Sequence, residues 1–109
     1  MYLVSWIYLL VAGLFEIGWP LGLKISQNPD SRGLGLIMAV IAMALSGLFL
    51  WLAQRDIPIG TAYAVWTGIG AAGTFFLGVW YFGDAASVLR YLGVVLIITG
   101  VVVLKLSHS

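Results

Sequence analysis

Four runs of at least 20 residues carry few or no charges: Tyr2 to Leu23, Gly33 to Gln54, Ile57 to Gly83 and Ala85 to Leu104. At about 1.5 Å per residue such a run crosses the roughly 30 Å hydrocarbon core of a bilayer, where no backbone group finds water to bond. Only a helix pairs all of those groups within one segment. The expectation is an all-α membrane protein, one transmembrane domain over 1–109, with helices over about 2–24, 33–54, 57–83 and 85–106. The connections are short and turn-like: Ser26 to Arg32, Arg55 to Pro58, and Gly83-Asp84. They leave no room for a soluble domain.

Composition narrows the function classes. Only 8% of residues are charged, against about 25% in soluble domains. A net charge of +1 creates no field for nucleic acid. The absence of Cys excludes disulfides, thiolate metal sites and thiol catalysis. The single His, His108, stands at the C-terminus and the carboxylates are scattered, so no metal site is expected. Neither is an enzyme or a cofactor: no nucleophile is paired with a base, and no phosphate loop occurs. The first run lacks a basic leader and contains Glu16, and it is read as mature structure rather than a signal peptide. Tyr2, Trp6, Trp51, Trp80, Tyr81 and Tyr91 stand near run ends, as interfacial aromatics do. Arg55 and Lys105 on one side nearly balance Lys24, Arg32 and Arg90 on the other, so insertion in both orientations is expected.

Glu16 is the one carboxylate inside a span, about 5 Å past the bilayer midplane. An ionised side chain there costs at least about 2.5 to 3.5 kcal/mol on insertion scales, and such groups mark ion or substrate paths. Removal from water disfavours the bare anion, so a proton or a cation must accompany it. Competition between the two for one group suffices for exchange. On the same helix face lie Gly13, expected to clear space for a ligand or a helix; Trp19, an indole donor; and Pro20, whose missing N–H leaves the carbonyl of Glu16 without its usual partner and is expected to bend the helix.

In the third run Tyr63 and Trp66 share a face and offer donors and an aromatic wall for a cation. Gly68 and Gly70 make a weak point near mid-membrane, where a hinge is expected. Tyr63 lies about 10 Å before the middle of its span, so an inverted second copy would bring its Tyr63 to the level of Glu16. In the fourth run Gly93 and Gly100 lie on one face and are read as a dimer contact.

In order and spacing, Glu16, Lys24, the series Pro58-x-Gly60-x-Ala62-Tyr63-Ala64-x-Trp66-x-Gly68-x-Gly70, and the helix from Gly93 to Gly100 resemble the small multidrug resistance transporter family. The resemblance covers nearly the whole chain. It implies an antiparallel, dual-topology homodimer in the bacterial inner (cytoplasmic) membrane that exchanges protons for a cation at paired Glu16 residues. Trp19, Ser46, Thr61 and Thr67-Gly68-Ile69-Gly70 look like the guanidinium-exporting branch, and the small residue expected in place of Pro20 is absent. A carboxylate accepts two parallel N–H bonds from planar guanidinium, with Trp19, Ser46 and Tyr63 available to orient it. A quaternary ammonium exporter, using Tyr63 and Trp66 as an aromatic cage, is the alternative. A second alternative is a membrane assembly subunit without transport of its own.

Overall fold

The computed structural model describes residues 2–107. Met1, His108, Ser109 and the side chain of Tyr2 lie outside the described residues, and so do the readings placed on His108 and on the Tyr2 ring. The helices are α1 (Tyr2–Ile25), α2 (Arg32–Ala53), α3 (Ile59–Trp80) and α4 (Val88–Ser107), with a short 3-10 turn at Pro29–Ser31. All four are long and apolar enough to cross a membrane. The chain is a multi-pass membrane protein, and several polar groups of its first connection are bonded locally. Between α1 and α2, Ser26 Oγ donates to the carbonyl of Leu23 (2.6 Å), Ser31 Oγ to that of Ile25 (2.9 Å) and Arg32 Nε to that of Ser26 (3.2 Å).

The connection from α3 to α4 occupies 81–87 and is longer than the Gly83-Asp84 turn read from the sequence. Gly83 adopts φ +72°, a left-handed conformation open to glycine at no steric cost. That turn lets the Asp84 amide donate back to the carbonyl of Gly78 at 2.8 Å, so α3 stops at Trp80. Ser87 then accepts from the Arg90 amide at 3.2 Å and caps α4. A hydroxyl followed by an apolar run was a legible start signal that the charge-based span boundaries passed over.

α1 and α2 meet along a seam of small residues. An added Cβ at Gly22 would lie 2.7 Å from backbone atoms of Gly35 and Ala39, and one at Gly35 would lie 2.5 Å from backbone atoms of Gly22 and Ser26. This is the close backbone approach that small residues at four-residue spacing permit between membrane helices. The sequence reading placed such a contact at Gly93 and Gly100 and missed this one, although Gly18, Gly22 and Ser26 repeat every fourth residue. Gly35→Val is expected to leave little folded protein after detergent extraction, measured as monodisperse yield, because backbone cannot yield as a side-chain tip can. Gly33→Val is the control, since a Cβ there meets nothing within 4 Å.

α3 lies on the other side of α1 and carries α4 on its outer face. The tightest core joins the start of α1, the end of α2 and the start of α3: Trp6, Leu9, Ala53, Ile57, Ala62 and Val65. Ser5 Oγ donates to Asp56 Oδ2 at 2.6 Å and ties the α2–α3 connection to α1. Trp6 departs from the expected interfacial role: it is 4% exposed, whereas Trp51, Trp80 and Tyr81 face outwards. The cause is local, because α1 turns Trp6 towards the α2–α3 connection rather than towards the surroundings. Tyr91 is half-covered and packs edge-on against Phe75 at 5.7 Å. Along α4 only Val94 is buried. The chain forms a thin slab with principal extents of 47 × 34 × 17 Å.

Candidate functional site

Glu16 stands on α1 where that helix faces α3. Its approach to α3 depends on Gly70, because a Cβ at Gly70 would overlap Glu16 Cγ. The carboxylate then turns towards Trp19, one turn further along α1, and Trp19 Nε1 donates to Glu16 Oε1 at 2.8 Å. Three-residue spacing on one helix made that pair legible. Among the described residues Trp19 is the only donor to this carboxylate, leaving Oε2 open.

Ser46 does something other than expected. It is 1% exposed, and its hydroxyl donates to the carbonyl of Ala12 on α1 (2.9 Å) instead of to Glu16. The same hydroxyl accepts from Trp66 Nε1 of α3 at 2.7 Å. The register set by the glycine seam puts Ser46 level with Ala12, one helical turn before Glu16. The relay from Trp66 through Ser46 to Ala12 therefore binds three helices at the turn that carries the acid. Its effect is to hold the Glu16 backbone rather than its carboxylate.

Tyr63 also makes no hydrogen bond to Glu16. Its ring lies 5.3 Å from that of Trp66 at 49°, and it is 57% exposed. The two rings form a wall on the open face of the slab, with the Trp66 N–H already committed to Ser46.

The small residues resolve into contacts. The space cleared by Gly13 is filled by Ile69 of α3, so it serves a helix. Gly68 receives Val101 of α4. Gly68 and Gly70, read as a flexible point, sit inside an uninterrupted α3 and face different neighbours, α4 and Glu16. Pro20 lies inside α1, which continues to Ile25, and it lines a cavity of about 210 Å³ between α1 and α3. Gly93 and Gly100 meet nothing within 4 Å, so that face of α4 is open. Among the described residues no group of three His, Asp or Glu converges to hold a metal.

The arrangement is a single carboxylate in an apolar layer, oriented by one indole and braced from behind through Ser46 and Ala12. Chemically it can hold one proton or one cation. Residues 4–97 match the family described as Small Multidrug Resistance protein. The chain is 47% identical over 104 residues to a protein of Yersinia pseudotuberculosis serotype I named guanidinium exporter, covering 95% of this chain and 99% of that one. Proteins of the same name from Citrobacter freundii and Salmonella typhimurium are 46% and 45% identical, over 95% of this chain and 98% of each.

Proposed function

Because this chain belongs to the small multidrug resistance family of membrane transporters, we propose that it exports guanidinium ion in exchange for protons, with Glu16 holding either one in turn. The observation that carries the reading is the 2.8 Å bond from Trp19 Nε1 to Glu16 Oε1. An indole donor on Oε1 fixes the orientation of the acid and leaves Oε2 for a planar cation that brings its own N–H groups. A quaternary ammonium has none to give and would gain nothing from an oriented acceptor. The name carried by the relatives points the same way.

The working unit in this proposal is an antiparallel, dual-topology homodimer. A slab 17 Å thick does not enclose a polar site, and the Tyr63–Trp66 wall stands open on one face. A second, inverted copy would cover that face and bring its Tyr63 towards the level of Glu16. Two carboxylates in one chamber then titrate as a coupled pair. Alternating access would bend α3 near Gly68 and Gly70, where contacts to α4 and to Glu16 lie two residues apart.

Currents recorded on solid-supported membranes over a panel of cations test the reading. Guanidinium and small guanidinyl compounds are expected to evoke proton-coupled currents, with tetraalkylammonium at least about tenfold weaker in half-saturation, the worth of one charge-assisted hydrogen bond. Equal responses would favour the quaternary ammonium reading, for which the aromatic wall is available. No substrate-dependent current from any cation would favour a non-transporting subunit.

A further inference from the structure

The cavity lined by Pro20 begins one helical turn beyond Glu16 and has a composition of its own. It measures about 210 Å³ and opens between the C-terminal ends of α1 and α3. Its polar lining comprises one cation, Lys24, one anion, Asp84, and Thr74; Leu21, Leu77 and Phe82 supply apolar walls. Lys24 is in the last turn of α1 and Asp84 follows the end of α3, so both stand at the membrane–water boundary. Asp84 is held there by the hydrogen bond that its backbone N–H donates to the Gly78 carbonyl and by the packing of its carboxylate against Gly78. Lys24 Nζ lies 5.9 Å from the centre of the Phe82 ring, and among the described residues it forms no ion pair with Asp84.

Below this cavity a second one of about 320 Å³ runs between α1, α3 and α4, lined by Leu14, Ile17, Ala72, Gly73 and Val102 among other apolar residues. The two lie end to end along shared helix faces: Ile17 and Leu21 are one turn apart on α1, and Gly73 and Leu77 one turn apart on α3. The result is a slot with a positive and a negative side chain at headgroup depth and an apolar channel towards mid-membrane. Gly100 lines a different groove, on the far side of the α3–α4 seam. At about 100° per residue, Val102 points some 160° from Gly100 around α4, so a dimer contact at Gly100 leaves the slot free.

We infer that this slot binds one zwitterionic aminophospholipid of the phosphatidylethanolamine type. Lys24 takes the phosphate, Asp84 takes the ammonium through its N–H groups, and one acyl chain lies in the channel. An anionic headgroup would meet Asp84 without a compensating positive charge, and a choline headgroup would offer Asp84 a charge but no N–H.

Native mass spectrometry of the purified full chain, given equal amounts of phosphatidylethanolamine, phosphatidylcholine and phosphatidylglycerol with identical acyl chains, tests this. Phosphatidylethanolamine is expected to be retained about tenfold over each of the others. Asp84→Asn is expected to erase its advantage over phosphatidylcholine, Lys24→Gln to lower retention of all three, and Arg55→Gln, at the opposite end, to leave the ranking intact. Free phosphoethanolamine in large excess is expected not to displace the bound lipid, since it lacks the chain. Equal retention of the three lipids, tighter phosphatidylglycerol, a preference that survives Asp84→Asn, or displacement by free phosphoethanolamine would each overturn the proposal. The lipid ranking of the unaltered protein decides the matter even if a variant fails to fold.

Discussion

Glu16→Gln is expected to abolish proton-driven guanidinium uptake into proteoliposomes, lowering initial flux by about 100-fold or more. Gln keeps the size of the side chain and an oxygen that can accept from Trp19, so packing against Gly70 and the 2.8 Å bond can both persist. What disappears is the charge for which proton and cation compete. The same competition sets the pH dependence in the unaltered protein. Where the acid is mostly protonated, each unit fall in pH lowers its ionised fraction about tenfold, and the apparent guanidinium affinity weakens by about tenfold. Where it is mostly ionised, affinity is flat with pH. Binding measured by calorimetry across pH should show this bend, and the Gln variant should show neither binding nor bend. Flux retained in the variant, or an affinity independent of pH throughout, would reject exchange at this group.

Gly70→Ala is expected to weaken guanidinium half-saturation by at least about tenfold while the protein still extracts as a folded species. The added methyl would claim the volume of Glu16 Cγ. A side chain can yield where a backbone cannot, so the acid shifts its rotamer and leaves Trp19, or α3 draws back from α1. Either response misplaces the carboxylate without removing it, and charge-assisted bonds lose strength steeply with misalignment. Gly47→Ala is the matched control, since a Cβ there meets nothing within 4 Å. Current amplitudes against guanidinium concentration check the pair; indistinguishable half-saturation would mean that the site tolerates a displaced acid.

The Ser46 result bears on how much of the site residue types can reveal. A hydroxyl, two indoles and a phenol near one acid suggest four donors aimed at it. Among the described residues only Trp19 is so aimed. Ser46 and Trp66 instead spend their hydrogen bonds on the frame, joining α2 and α3 to the Ala12 carbonyl. In an apolar layer each polar hydrogen needs an acceptor, and a backbone carbonyl at the right height satisfies one as well as a carboxylate does.

Span count, membrane residence and the singular position of Glu16 follow from the sequence alone, because a bilayer tests hydropathy over some 20 residues and permits only self-satisfied backbone. The pairing of Trp19 with Glu16 also follows, being set by helical spacing within one segment. Tertiary structure alone decided which faces meet. Gly22 against Gly35 sets the register of α1 on α2, that register levels Ser46 with Ala12, and Gly70 admits Glu16 to α3. Small residues allow close approach without specifying a partner, and lipid-facing and helix-facing side chains are equally apolar. The pattern along one helix therefore does not name its neighbour; that choice belongs to the shapes of two surfaces brought together.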